Sequence, residues 1–179
     1  LADDLVLLDW LRTKIWPLER AHDEDSLYWS ARLGLTEMLC GGTTSILDMA
    51  TVHGTDAVFQ AADECGMRAF IGNAMMDRDN EAGLGRSTYE SLQEAERLRS
   101  KWDGHGNLRF AFAPRFVPSC SEDLLRHTVS LARASGCLMH THASENKDEV
   151  ALVRTMTGKD NVIYLDTIGM TGSDVVLAH

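Results

Sequence analysis

Short apolar runs alternate with amphipathic stretches along the whole chain, and no two runs are joined by a hairpin turn. That alternation limits the fold more than any other feature. Strands separated by helix-length connections pair parallel, and the crossovers between them are right-handed. Strands are expected near 44–49, 68–72, 109–114, 137–142 and 175–178. Helices are expected between them. Residues 23–40, "DEDSLYWSARLGLTEMLC", open on acidic and Ser capping candidates and carry Leu27, Ala31, Leu35 and Met38 at helical spacing. They run into Gly41 and Gly42, which stop the helix. Further helices are expected at 53–65, at 87–102 behind a Ser87–Glu90 capping box, at 123–135 behind a Ser119–Glu122 box, and near 146–157. The segment "NVIYLDTIG" reads only as short and apolar. Runs such as "FAFA" and "VVLA" carry few polar residues, as strands covered on both faces do. The fold class is α/β, and an open doubly wound sheet or part of a (β/α)₈ barrel satisfies the pattern equally.

A chain of 179 residues can bury a sizeable core, and residues 1–179 read as one domain. It lacks an initiator Met and stops on "VVLAH", so both ends read as cut from something longer. With 17 Lys+Arg against 27 Asp+Glu the net charge is −10, which repels phosphate backbones and anionic membrane surfaces and argues against nucleic acid as a partner. No apolar run is long enough to cross a bilayer. The opening "LADDLVLLDWLRTK" has acids ahead of its apolar stretch and does not read as a signal peptide. Cys40, Cys65, Cys120 and Cys137 are widely spaced without a CxxC; they read as reduced, mostly buried thiols of a cytoplasmic protein. Neither G-x-G-x-x-G nor G-x-x-x-x-G-K occurs, which excludes Rossmann and P-loop readings.

Polar residues gather where the expected strands end: Asp48 and His53, Asn73 and Asp77, Arg115, His142 and Glu145, and His179. A parallel sheet brings such points together at its C-terminal edge. The long loop "GNAMMDRDNEAGLGRS" belongs to the same edge. In "LMHTHASENKDE", His140 and His142 are two apart and so face one side of a strand. Neutral imidazole suits Zn²⁺, and the Glu145 carboxylate could take a proton from a bound water. A plainer reading has one histidine bonded to a carboxylate and Glu145 capping the next helix. Arg115 reads equally as a salt-bridge arginine, His179 as a core histidine, and His53 and Asp77 as loop or turn residues. Trp10, Trp16, Trp29 and Trp102 read as helix packing residues, and Met75 and Met76 as core filling.

The stretches "HTHASENKDEV", "APRFVPSCSEDLL", "GGTTSILDMATVH" and "GMRAFIGNAMMDRD" resemble the amidohydrolase superfamily, in its guanine deaminase and deoxyadenosine or methylthioadenosine deaminase branch. The resemblance covers essentially the whole chain. It implies a metal-dependent (β/α)₈ barrel of which this chain is a central part, roughly strands two to six. Position by position, His142 matches the fifth-strand metal ligand, Glu145 the proton shuttle, and His179 the histidine that orients the attacking water. Arg115 matches the arginine that holds the purine, with Phe116 beside it. His140 has no matching role. The family's paired first-strand histidines and its eighth-strand aspartate have no counterpart in the sequence, so only one of four expected metal ligands is present. The resemblance implies one divalent metal, Zn or Fe, a homodimer, and hydrolytic release of ammonia from a small-molecule aminopurine. The match of "APRF" and "SENKDEV" places guanine slightly ahead of 5′-deoxyadenosine-type nucleosides. A triazine aminohydrolase or chlorohydrolase, and a non-catalytic structural homologue, remain open alternatives.

Overall fold

The computed structural model describes residues 5–78 and 83–179. It opens with a helical segment, α1 (Leu7–Trp10), one π-helical stretch (Leu11–Ile15) and α2 (Trp16–Ala21), with Pro17 in the first turn of α2, where its missing N–H does no harm. The next helix is α3 (Glu24–Cys40), whose capping box joins Asp23 to Ser26. Then follow β1 (Ser45–Asp48), α4 (Thr55–Glu64), β2 (Arg68–Ile71), β3 (Ala74–Met75), α5 (Thr88–Trp102) and β4 (Leu108–Pro114). A 3₁₀ turn (Val117–Ser119), α6 (Glu122–Ser135), β5 (Leu138–His142), α7 (Lys147–Thr157), α8 (Asn161–Thr167) and β6 (Val175–Ala178) complete the order.

Every strand pairing is parallel, in the order β1-β2-β4-β5-β6, with β3 added alongside β4. The strands curl into a half-barrel with helices in the connections, a partial (β/α)₈ barrel. Phe59, Phe110, Phe112 and Leu124 lie at the heart of the core, all at most 1% exposed. The Phe59 ring stacks on Trp102 at 5.4 Å between centroids. A smaller cluster of Leu11, Trp16, Val52, Met76, Leu84 and Phe116 seals the N-terminal helical segment against the loops after the strands. Among the described residues, no helix is long and apolar enough to cross a membrane.

One glycine is dictated by closeness rather than by dihedral angle. A Cβ on Gly72 would lie 1.9 Å from the Ala111 carbonyl oxygen, so the chain leaving β2 passes against β4 only without a side chain.

The structure departs from the sequence expectations in several places. Six strands are present among the described residues rather than five, because β3 forms inside the long loop; residues 79–82 of that loop lie outside the described residues. The apolar 161–167 segment is a helix. The second capping box does not form. The turn at Val117–Ser119, with Pro118 in it, delays α6, so Ser121 accepts from the Leu124 N–H while buried Ser119 donates its hydroxyl to the Phe116 carbonyl. Trp29 is exposed rather than packed, and of the cysteines only Cys120 and Cys137 are buried.

Candidate active site

β5 ends at His142, beside Ala178 of β6 in register, so the residues that follow both strands emerge together. The His142 ring is fixed by the main chain. Its Nδ1 lies 2.9 Å from the Arg115 carbonyl oxygen, and its backbone N–H donates to the same oxygen at 3.1 Å. A carbonyl only accepts, so Nδ1 carries a hydrogen and Nε2 is the ring nitrogen left to face a ligand. The His179 ring lies nearly parallel to the His142 ring, 5.5 Å away, and His179 Nε2 stands 4.0 Å from Glu145 Oε1. His142, Glu145 and His179 therefore converge.

Glu145 does not cap the helix behind it. Asn146 does, its Oδ1 accepting from the Glu149 N–H at 2.8 Å, so the plainer reading of Glu145 fails on geometry. The residue before it, Ser144, sits at φ 63°, in the left-handed region. Among the described residues, neither histidine of the "HTH" bonds a carboxylate. His140 shares the face of His142, with ring centroids 5.8 Å apart; it is buried, and its Nδ1 has no hydrogen-bond partner among the described residues. Burial, and secondarily His142, depress its pKa to about 4, so this imidazole is neutral at ordinary pH. Burial also pushes the Cys120 thiol up to about 12, which removes it as a nucleophile. At the far edge of the sheet, burial raises the carboxyl of Asp48 above its ordinary value.

Arg115 turns its guanidinium to Glu19 of α2, Nη1 to Oε2 at 2.8 Å, and both side chains are largely buried. The other Glu19 oxygen accepts from the Val52 N–H. Glu19 carried no signal in the sequence. Phe116 is 3% exposed and packs in the small cluster with Trp16 and Leu84. His53 serves the loop, contacting the Leu84 carbonyl and the Arg86 guanidinium. Asp77 accepts from the Thr88 and Ser121 hydroxyls and from the Ser121 N–H, tying the end of β3 to the starts of α5 and α6. His142, Glu145 and His179 thus form an open group, while Arg115, His53 and Asp77 are spent on holding loops and helices.

No group of three or more His, Cys, Asp or Glu side chains is placed to hold a metal among the described residues. What is present fits one position of such a centre: an imidazole whose Nδ1 is held by a backbone carbonyl while Nε2 is left free of that bond, the arrangement typical of a metal-binding histidine.

Residues 1–179 match the model of the amidohydrolase family. The chain is 40% identical over 179 residues to the 5′-deoxyadenosine deaminase of Methanopyrus kandleri, an alignment covering 99% of this chain and 40% of that protein. E. coli guanine deaminase superposes with a TM-score of 0.93 at 32% identity, over 99% of this chain and 43% of that one. An adenosine deaminase from Xanthomonas campestris, solved with bound zinc, superposes with a TM-score of 0.89 at 26% identity, over 99% of this chain and 40% of that one. The chain spans about 40% of the length of the curated relatives it matches. A parallel half-barrel, a histidine and a carboxylate at its strand ends and an end-to-end family match lead to one assignment: the chain belongs to the amidohydrolase family.

Proposed function

We propose that this chain is the central part of a metal-dependent hydrolase that releases ammonia from an aminopurine. The observation that carries the reading is the convergence of His142, Glu145 and His179 where β5 and β6 end. His142 would hold the metal through Nε2; when bound, the metal supplies a water acidic enough to act as hydroxide near neutral pH. Glu145 takes the proton of the attacking water and delivers it to the ring nitrogen beside the attacked carbon. His179 hydrogen-bonds the hydroxyl growing on that carbon, a contact stronger with the tetrahedral species than with the flat ring. A proton passed to the exocyclic nitrogen lets the C–N bond break, ammonia leaves, and a ring carbonyl remains. Proton transfer by a non-ligating Glu beside a metal is the chemistry by which base deaminases work.

Between substrates, a 5′-modified adenosine stands first. The 40% identity is to a 5′-deoxyadenosine deaminase, and Nη1 of Arg115 is committed to Glu19, which weakens the argument that its whole fork grips guanine. Guanine is the second reading, favoured by the TM-score of 0.93 to a guanine deaminase. The test is ammonia release by the complete protein from 5′-deoxyadenosine, methylthioadenosine, adenosine, guanine, cytosine and a chlorotriazine. Glu145→Gln should lower turnover of the preferred purine at least ~100-fold while metal content stays. Ammonia from none of the six, or full activity in the Gln variant, overturns the reading.

A further inference from the structure

Glu149 is a carboxylate with no ion-pair partner among the described residues, buried to 1% exposure in the first turn of α7. A Glu three residues after an Asn cap ordinarily reaches back along the surface to the N–H of the capping residue. Glu149 reaches one residue further: its Oε2 accepts from the Glu145 N–H at 3.1 Å. The turn that presents this amide has Ser144 in the left-handed region, at φ 63°, a conformation unfavourable for a residue with a side chain unless its surroundings hold it. The other oxygen, Oε1, accepts from the Nδ2 of Asn161 at the start of α8; Asn161 is fully buried and its own Oδ1 has no partner. None of the Glu149 hydrogen bonds goes to His142 or His179, so it has no direct part in the chemistry.

We propose that Glu149, braced by Asn161, is a positioning residue: it clamps the Ser144–Glu145 turn and thereby aims the Glu145 carboxylate at the reacting water and ring nitrogen. This rests on Glu145 being the proton shuttle. What the clamp needs is shape rather than charge. A Gln at 149 keeps an acceptor for the Glu145 N–H, and with the Asn161 amide turned over its NH₂ reaches the oxygen that now lacks a partner. A carboxylate kept only to join α7 to α8 would behave differently, since its loss would lower stability without touching the chemical step of molecules that remain folded.

The experiment uses the complete protein with Glu149→Ala, Glu149→Gln and Asn161→Ala, measuring kcat, KM, bound zinc, thermal midpoint and amide exchange over 143–147. Misplacing a catalytic group by about 1 Å costs on the order of 100-fold, so Glu149→Ala should lose about 10- to 100-fold in kcat, with KM and zinc content within about 3-fold of the parent. Exchange at 144–146 should rise in the same variant. Asn161→Ala should show a smaller loss of the same kind, and Glu149→Gln should return kcat to within about 3-fold. Unchanged kcat in both Ala variants overturns the proposal, as does loss of zinc and activity together with no rescue by Gln. If Glu149→Ala does not fold, Asn161→Ala and Glu149→Gln carry the same comparison. A parent protein that releases no ammonia would sink the deaminase reading, while the exchange measurement would still decide the clamp: unchanged exchange at 144–146 in Asn161→Ala refutes it.

Discussion

Arg115 meets the site through two different atoms. Its carbonyl oxygen orients the His142 ring, and its guanidinium pairs with Glu19, 96 residues earlier. Removing one partner of a buried pair leaves the other uncompensated, so Arg115→Ala should destabilise by about 3 kcal/mol, and Glu19→Gln should restore part of it in the double variant. Denaturant unfolding of the four proteins measures this; additive losses would show that the pair is not coupled. "APRF" drew attention to Arg115, but nothing in the sequence pointed to Glu19, because pairing across the fold leaves no periodicity. His142 and Glu145 were legible from their place after an apolar strand. Glu149 was not, since a Glu in a first helical turn reads as ordinary surface chemistry. Burial raises its carboxyl above the ordinary 4.5. The folded state then keeps a proton that the unfolded chain gives up, so the stability it contributes falls as pH climbs from 4.5 toward the raised value. Glu149→Gln should flatten that decline in unfolding curves taken from about pH 4 to pH 8, and an unaltered slope would count against it.

Helices were read well because periodicity and end signals are local. The Ser87–Glu90 box forms as expected and Gly136 ends α6 in the left-handed conformation. The two-residue β3 was invisible, since its pairing with Ala113 and Pro114 depends on where β4 runs and not on its own residues. The Ser119 box failed for a related reason: a three-residue turn moved the helix start to a place that spacing alone does not fix. At the start of α7, Asn146→Ala should cost about 1 kcal/mol as a lost cap. One position earlier than Glu145, Ser144→Gly should be neutral or stabilising and Ser144→Val destabilising by about 1–2 kcal/mol, because φ 63° suits glycine and repels a branched side chain. Thermal melts of the two variants should move apart, and a matching drop in both would mean that the turn holds something other than backbone strain.

Parallel pairing of consecutive units was fixed by the missing hairpins, yet curvature was not, because an open sheet and a barrel share the same alternation. Only the strand order, running β1-β2-β4-β5-β6 without reversal, separates them. Among the described residues it leaves β1 and β6 as edges, and β6 adds the exposed side chain of Val176. The 179-residue chain by itself should therefore self-associate, and Val176→Lys should reduce this in light scattering; a stable monomer would overturn the expectation. The bond that orients His142 has a consequence for how such a molecule can diverge. Its acceptor is main chain, so no replacement of the side chain at 115 deletes it. Selection can change the side chain at 115, and with it the pairing to Glu19, while the imidazole keeps its main-chain partner and its direction.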